Sequence, residues 1–493
     1  MSFEPVLFIF SLYVIGLLFA LLFIPKLSAV FACLTGFLWG ALFYTVLVIL
    51  MLATSVIPYN TTTTMLSGII LILTLTVVLI RKNNYKIKTR EILFIIGYSV
   101  ILFFVICFFS LKNYSKASFD SMLLVNMGRY LASGDIFNWI MGSPKGYGML
   151  IPILHSSSSF WGMDYYSALQ PTISFVFACI FLYINGMFIK SITTSIIVQV
   201  VVPLFSSALF FSTPIIWFNT TYIHTNFISG AYLLVSLYAY INGIINESNE
   251  WLATGTISII GFGFCRTENS IFAVLILLLV FRSSQVDFKK RISNTLPYCL
   301  VFIFWWILVL QMKDTPYSDL LTKNILYAYI FVFMLFIIGI LLSKNLWIER
   351  IIFRKIDLWI SASFIAVYTI MMIEKPQEMS LSFINILQNS FITNNGGYGV
   401  TSYFIAIGLL LVYIINIKFK NPNYKSTAML AMIIFNFIMF VLIMGFFRTP
   451  YRVGWGDSAN RMFIALLPIS ITYIFAELTR FSSSNKNLVD QKS

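Results

Sequence analysis

RKNNYKIKTREILFIIGYSVILFFVICFFSL, residues 81–111, decides the class of fold. Five basic residues, Arg81, Lys82, Lys86, Lys88 and Arg90, crowd its first ten positions, and from Ile92 to Leu111 no charged side chain occurs. At about 1.5 Å per helical residue, such a run matches the ~30 Å hydrocarbon thickness of a bilayer. A basic loop followed by an uncharged span is the unit repeated along the rest of the chain.

Working outward, about fifteen spans of roughly membrane-crossing length can be drawn. They lie near 5–25, 27–54, 66–80, 92–111, 168–189, 192–212, 226–245, 251–263, 269–281, 293–311, 325–342, 356–373, 402–417, 426–447 and 462–476. Alternate connections are basic: Lys26, then 81–90, Lys190, 282–291, 344–355, 418–425 and the tail from Arg480 onward hold 21 of the 32 Lys and Arg residues. The positive-inside rule assigns these to the cytoplasm, so the N-terminus is expected outside and the C-terminus inside. The expected fold is therefore all-α and polytopic, with 13–15 spans.

Composition excludes other classes. A hydrophobic content of 59% and a mean hydropathy of +0.90 do not fit a soluble globular chain. The net charge of +14 follows from the cytoplasmic loops, and so argues for lipid headgroups and not for nucleic acid. Five cysteines without paired spacing give no disulfide framework and no metal signature. The first apolar stretch lacks a basic leader and a small-residue cleavage site, and is read as a retained span. The bias to Ile, Phe, Asn, Lys and Tyr fits an AT-rich bacterial genome, hence a bacterial inner membrane.

Polar chemistry gathers on the outer side. The segments expected there are 112–167, 213–225, 264–268, 374–401 and 448–461, and the first is unusually long for a connection without a role. Ion-coupled transporters keep ionisable groups at the bilayer midplane. Here the spans are free of them except at their ends, which favours an enzyme with an active site on the outer face. Span 251–263 is short, so 251–281 is expected to be either two crossings or a broken pair, with Arg266 and Glu268 at the outer break.

Within the long loop, Phe119-Asp120-Ser121 precedes apolar positions at 122, 123, 124, 127, 130 and 131, the pattern of a short amphipathic helix on a membrane surface. Asp120 near its N-terminus suits either a helix cap or a general base for a sugar hydroxyl. Arg129 lies on the same stretch, and Asp135 follows Gly134 in a turn.

Asp120, this amphipathic stretch and Ala132-Ser133-Gly134-Asp135 resemble the first external loop of the GT-C membrane glycosyltransferases, closest to the aminoarabinose transferase and protein O-mannosyltransferase branch. Gly142-Ser143-Pro144-Lys145-Gly146-Tyr147-Gly148 with Leu150–Leu154, the Arg266-x-Glu268 pair, and Asp457–Arg461 followed by Leu466-Leu467-Pro468 resemble later segments in the same order. The resemblance implies a GT-C-like core over 91–480, with Asp120 as or beside the catalytic base; Glu268 is the other candidate catalytic carboxylate. Residues 1–90 would then be accessory spans and 481–493 a cytoplasmic tail. The second acid that many relatives carry is replaced by Ser121 and Met122, and 213–225 offers only His224 and Tyr222. No cofactor is required on this reading, no metal site is assigned, and a divalent cation is not supported.

Cationic residues complete the candidates. Arg448, Arg452 and Arg461 flank the last outer segment, with Lys145 and Arg266 elsewhere. Each suits either snorkelling to headgroups or bidentate binding of phosphate. His155 and His224 suit interfacial positions or hydrogen bonds to sugar hydroxyls. With Arg129, Asp135 and Asp457, these form the expected substrate-binding set.

The expected activity is inverting transfer of a sugar from a polyprenyl-phosphate donor to a surface glycan or glycolipid, as in O-antigen or lipopolysaccharide modification. A synthase that makes the donor and a flippase that delivers it are the implied partners, alongside membrane lipids. Two alternatives stay open: an O-antigen polymerase or ligase using a diphosphate-linked carrier, and a non-enzymatic flippase of lipid-linked glycans.

Overall fold

In hydrocarbon a backbone has no water to bond, so an apolar chain crosses as helix. The computed structural model bears this out. It describes residues 3–24, 28–54, 57–82, 88–111, 119–133, 148–282, 288–301, 323–342, 345, 355–392, 396–419, 425–447 and 451–490, and among them there is no strand. The helices are α1 (Glu4–Phe23), α2 (Ala29–Thr54), α3 (Thr61–Lys82), α4 (Thr89–Leu111), α5 (Phe119–Ala132), α6 (Leu150–Ser156), α7 (Leu169–Lys190), α8 (Ile196–Phe211), α9 (Pro214–Thr221) and α10 (Asn226–Ile245). There follow α11 (Asn249–Cys265), α12 (Thr267–Arg282), α13 (Phe288–Thr295), α14 (Lys323–Leu342), α15 (Ile356–Glu374), α16 (Pro376–Phe391), α17 (Val400–Phe419), α18 (Lys425–Phe447) and α19 (Ser458–Asp490). A 3-10 turn, Ser157–Trp161, continues α6.

Nine of these helices are long and apolar enough to cross a membrane among the described residues, or up to 11 if each of two bent pairs is one span. The protein is thus a polytopic α-helical membrane protein. The bends have local causes. Between α8 and α9 the chain turns by 73° at Thr213-Pro214, where proline disfavours helical backbone in the residue before it. Between α15 and α16 it turns by 120°, and Pro376 takes the first helical position, where its missing N–H costs nothing. The segment 374–401, expected as an outer loop, therefore holds a 16-residue helix that buries Met379, Ser382, Ile386 and Asn389 along one face.

The chain forms two compact units, residues 1–177 with 220–345 and residues 178–219 with 346–493. No boundary falls at residue 90, so the first spans are built into the first unit. There α1 and α2 pack at backbone distance: a Cβ on Gly40 would stand 1.7 Å from Leu12 O, and one on Gly16 would stand 1.8 Å from Gly36 O. This is the small-residue packing by which helices associate in lipid. Nearly all of α10 is buried. Polar side chains bridge the core helices: Trp39 Nε1 donates to Ser258 Oγ at 3.4 Å, and the Tyr232 hydroxyl donates to the Leu38 carbonyl.

In the second unit Asn185 Nδ2 donates to Ser206 Oγ at 2.6 Å and Thr213 shares a 2.7 Å hydroxyl bond with Thr401. The backbone N–H of Ile215 reaches Gly397 O at 2.7 Å, which ties α9 to the turn before α17. No disulfide joins any of the five cysteines.

Candidate active site

The amphipathic stretch is a helix, as its spacing predicts. In α5 Leu124, Val125, Met127 and Leu131 are buried, whereas Met122, Arg129 and Tyr130 are exposed. Gly128 sets its depth, because a Cβ there would lie 2.7 Å from Pro152 O and 3.1 Å from Ser156 N. Only glycine lets α5 lie directly on α6. Asp120 is the second residue of α5, in the turn whose free N–H groups favour an anion. Its side chain lies outside the described residues, as do all of Asp135, Lys145, Arg448 and the Asn394-Asn395 part of the expected turn.

The N-terminal turn of α5 is pinned to the loop carrying His224, since Ser121 Oγ donates to Ile223 O at 3.1 Å. His224 is fully buried and its ring stacks on Tyr222, with centroids 5.8 Å apart. One turn further, Asn269 Nδ2 donates to Ser229 Oγ at 3.1 Å and also to Phe262 O at 3.2 Å. Asn269 thereby satisfies a last-turn carbonyl of α11 and ties the start of α12 to the first turn of α10, which follows the His224 loop.

Between α11 and α12 the expected break is real. Arg266 is extended, with φ −155° and ψ 151°. Its Nη2 lies 3.3 Å from Glu268 Oε1 and its Nε 3.5 Å from Glu268 Oε2. Both residues are buried, at 4% and 3% exposure. Gly148 closes this corner: its N–H donates to Cys265 O at 3.0 Å, and a Cβ on it would meet the carbonyls of Phe264 and Cys265 at 2.1 Å. Thus the Asp120 turn, His224, Arg266 and Glu268, distant in sequence, converge around one pair of linked loops in the first unit.

Arg129 stands at the other end of α5, nine residues from Asp120 and therefore about 13 Å along the axis. It pairs with Asp164 at an open cleft of about 470 Å³, shared with Ser133 and Ser159. Asp164 was not foreseen as a site residue. The only signal is a turn at Gly162, since nothing in sequence links positions 35 apart. Phe160 lines this cleft and also the mouth of an apolar groove of about 520 Å³ among α1, α2 and α3.

His155 is enclosed by protein. It is 2% exposed, and its Nδ1 accepts the Tyr166 N–H at 3.2 Å. The ring proton therefore sits on Nε2, which has no hydrogen-bond partner among the described residues. Burial pushes its pKa down to about 3. Around it runs a hydroxyl network: Tyr44 with Tyr59 at 2.8 Å, Tyr59 with Ser156, and Ser157 with Tyr166 at 3.0 Å. Burial likewise raises the Tyr59 phenol well above its ordinary value.

In the second unit the segment before α19 is clamped by α16. Asn389 donates to Arg452 O at 2.8 Å and accepts from Gly454 N at 2.9 Å, while Asn385 donates to Tyr451 O at 2.6 Å. The Asp457 carboxylate is occupied by backbone: Oδ1 takes Arg452 N and Oδ2 takes Ala459 N, each at 2.9 Å. It caps α19 and closes the loop. Arg461 is buried in the first turn of α19, whereas the Arg452 side chain is exposed.

Among the described residues no three His, Cys, Asp or Glu side chains gather as metal ligands. No family model matches the chain, and no curated protein matches it.

Proposed function

We propose that this protein is an integral-membrane glycosyltransferase that moves a sugar from a polyprenyl-phosphate donor to a hydroxyl of a surface glycan or glycolipid. The observation that carries the reading is the convergence of the α5 N-terminal turn, the His224 loop and the buried Arg266–Glu268 pair. It places a carboxylate position, an imidazole and a guanidinium at helix ends instead of mid-span. The positive-inside pattern supports an outer-face location for these ends, and the residue composition supports a bacterial inner membrane.

In this mechanism the Asp120 carboxylate takes the proton of the acceptor hydroxyl as that oxygen attacks the anomeric carbon. The carbon–oxygen bond to the lipid phosphate breaks, the phosphate leaves with the electron pair, and the anomeric centre inverts. Positioned general-base catalysis contributes about 10²–10⁴-fold. Arg266, oriented by Glu268, supplies N–H donors to the departing phosphate, a charge-assisted interaction that strengthens as negative charge develops.

The test is transfer from a labelled polyprenyl-phosphate sugar pool to native acceptor, in membranes holding wild type or Asp120→Asn at matched expression. Loss of transfer with normal insertion is expected. Wild-type rates in the variant would remove Asp120 from the mechanism. Longer glycan chains, without a new side-branch sugar, would mark a polymerase.

A further inference from the structure

We propose that the groove among α1, α2 and α3 binds a phospholipid with a primary ammonium head group, its acyl chain between the helices and its ammonium on Glu4. This inference is independent of sugar transfer.

The groove has the dimensions of one lipid leaflet. On α1 its lining runs from Glu4 to Ile15, about 16 Å at helical rise, which is roughly half the ~30 Å hydrocarbon core. Its walls are apolar, with Phe8 and Leu12 from α1, Leu47 from α2 and Ile72 from α3. Met65 and Ile69 on its rim are exposed, so the groove opens sideways into lipid, and a chain enters from the bilayer without crossing water.

The polar end selects the head group. Glu4 and Thr64 line the groove, and their Oε2 and Oγ1 atoms have no hydrogen-bond partner among the described residues. Leaving buried acceptors unmatched is costly, and a carboxylate most needs a cationic donor. An ammonium brings three N–H groups and the opposite charge. A phosphate monoester or a glycerol phosphate brings negative charge against Glu4. The same argument separates this site from a polyprenyl-phosphate site. Trp161 and Phe160 at the mouth are the aromatic residues expected at the headgroup level.

The experiment is thermal unfolding of the purified full chain in detergent, with added dioleoyl phosphatidylethanolamine or dioleoyl phosphatidylglycerol. Phosphatidylethanolamine is expected to raise the midpoint by roughly 2–4 °C, and phosphatidylglycerol by clearly less. Glu4→Gln should abolish the difference between the two lipids. Gly68→Phe should abolish both responses. An added Cβ at Gly68 meets nothing within 4 Å, so the ring fills the groove without disturbing the helices, and the lipid-free midpoint reports whether folding is intact. Equal stabilisation by both lipids in wild type, or a phosphatidylethanolamine response that survives Gly68→Phe, overturns the proposal. A head-group preference unchanged in Glu4→Gln overturns the assignment to Glu4.

Discussion

Arg266 and Glu268 form an ion pair at 3.3 Å with side chains only 5% and 4% exposed, at the point where one helix ends and the next begins. A buried pair is weak evidence for stability, because desolvation consumes most of the Coulomb attraction, whereas a half-pair is expensive. Glu268→Gln should therefore destabilise the protein by about 3–5 kcal/mol, and the double replacement Arg266→Met with Glu268→Met by much less. Unfolding midpoints of the three proteins in one detergent check this. A double variant as unstable as the single one would mean that the pair holds the break together.

Contact between α5 and α6 depends on one missing methyl group. Gly128→Val must push α5 off the Pro152 carbonyl, costing about 1–3 kcal/mol by overpacking. Gly97→Val, on the open face of α4 where an added Cβ meets nothing within 4 Å, is the control and should shift the midpoint little. Equal shifts in the two would remove the close packing of α5 on α6.

His155 makes stability depend on pH with a definite sign. Its folded pKa of about 3 lies below the ordinary 6.5, so the folded state keeps the ring neutral where the unfolded chain protonates it. Its contribution is complete above about pH 6.5 and is lost as pH falls toward 3, by up to about 1.4 kcal/mol per unit. Replacing it by glutamine should remove that slope. The stability gap between wild type and His155→Gln is then expected to narrow between pH 6.5 and 4.5. A gap constant over that interval would show that the imidazole charges without penalty.

Asp457 is expected to act through backbone. Asp457→Ala loses the cap of α19 and the tie to Arg452 N, a cost of about 1–2 kcal/mol. Asp457→Asn keeps an oxygen acceptor for one of the two N–H groups and should lose less. Hydrogen exchange at Ala459 and Asn460 is the direct readout: it should quicken in the alanine variant and leave the middle of α19 unchanged.

The spans around Ile92–Leu111, the helix at 119–132 and the break at Arg266 were all legible in sequence. Each rests on a local rule: uncharged length against bilayer thickness, apolar spacing along a single helix, and a charged Arg-x-Glu between two apolar runs. The 73° and 120° bends were not legible, although Pro214 and Pro376 mark them, because a proline permits a turn without fixing its angle. The helix Pro376–Phe391 was missed because its buried face includes Ser382 and Asn389, which satisfy their polarity against the last loop and so blur the apolar stripe.

What the sequence determined by itself is where the chain can meet lipid, because hydrocarbon rejects charge residue by residue. Tertiary structure alone decided which loops meet. Ser121 with Ile223, Asn269 with Ser229 and Arg129 with Asp164 are pairings across 35 to 102 positions, and no periodicity records them. The groove below Glu4 is likewise tertiary: Gly16, Gly36 and Gly40 let α1 and α2 meet at backbone distance, and α3 supplies the third wall.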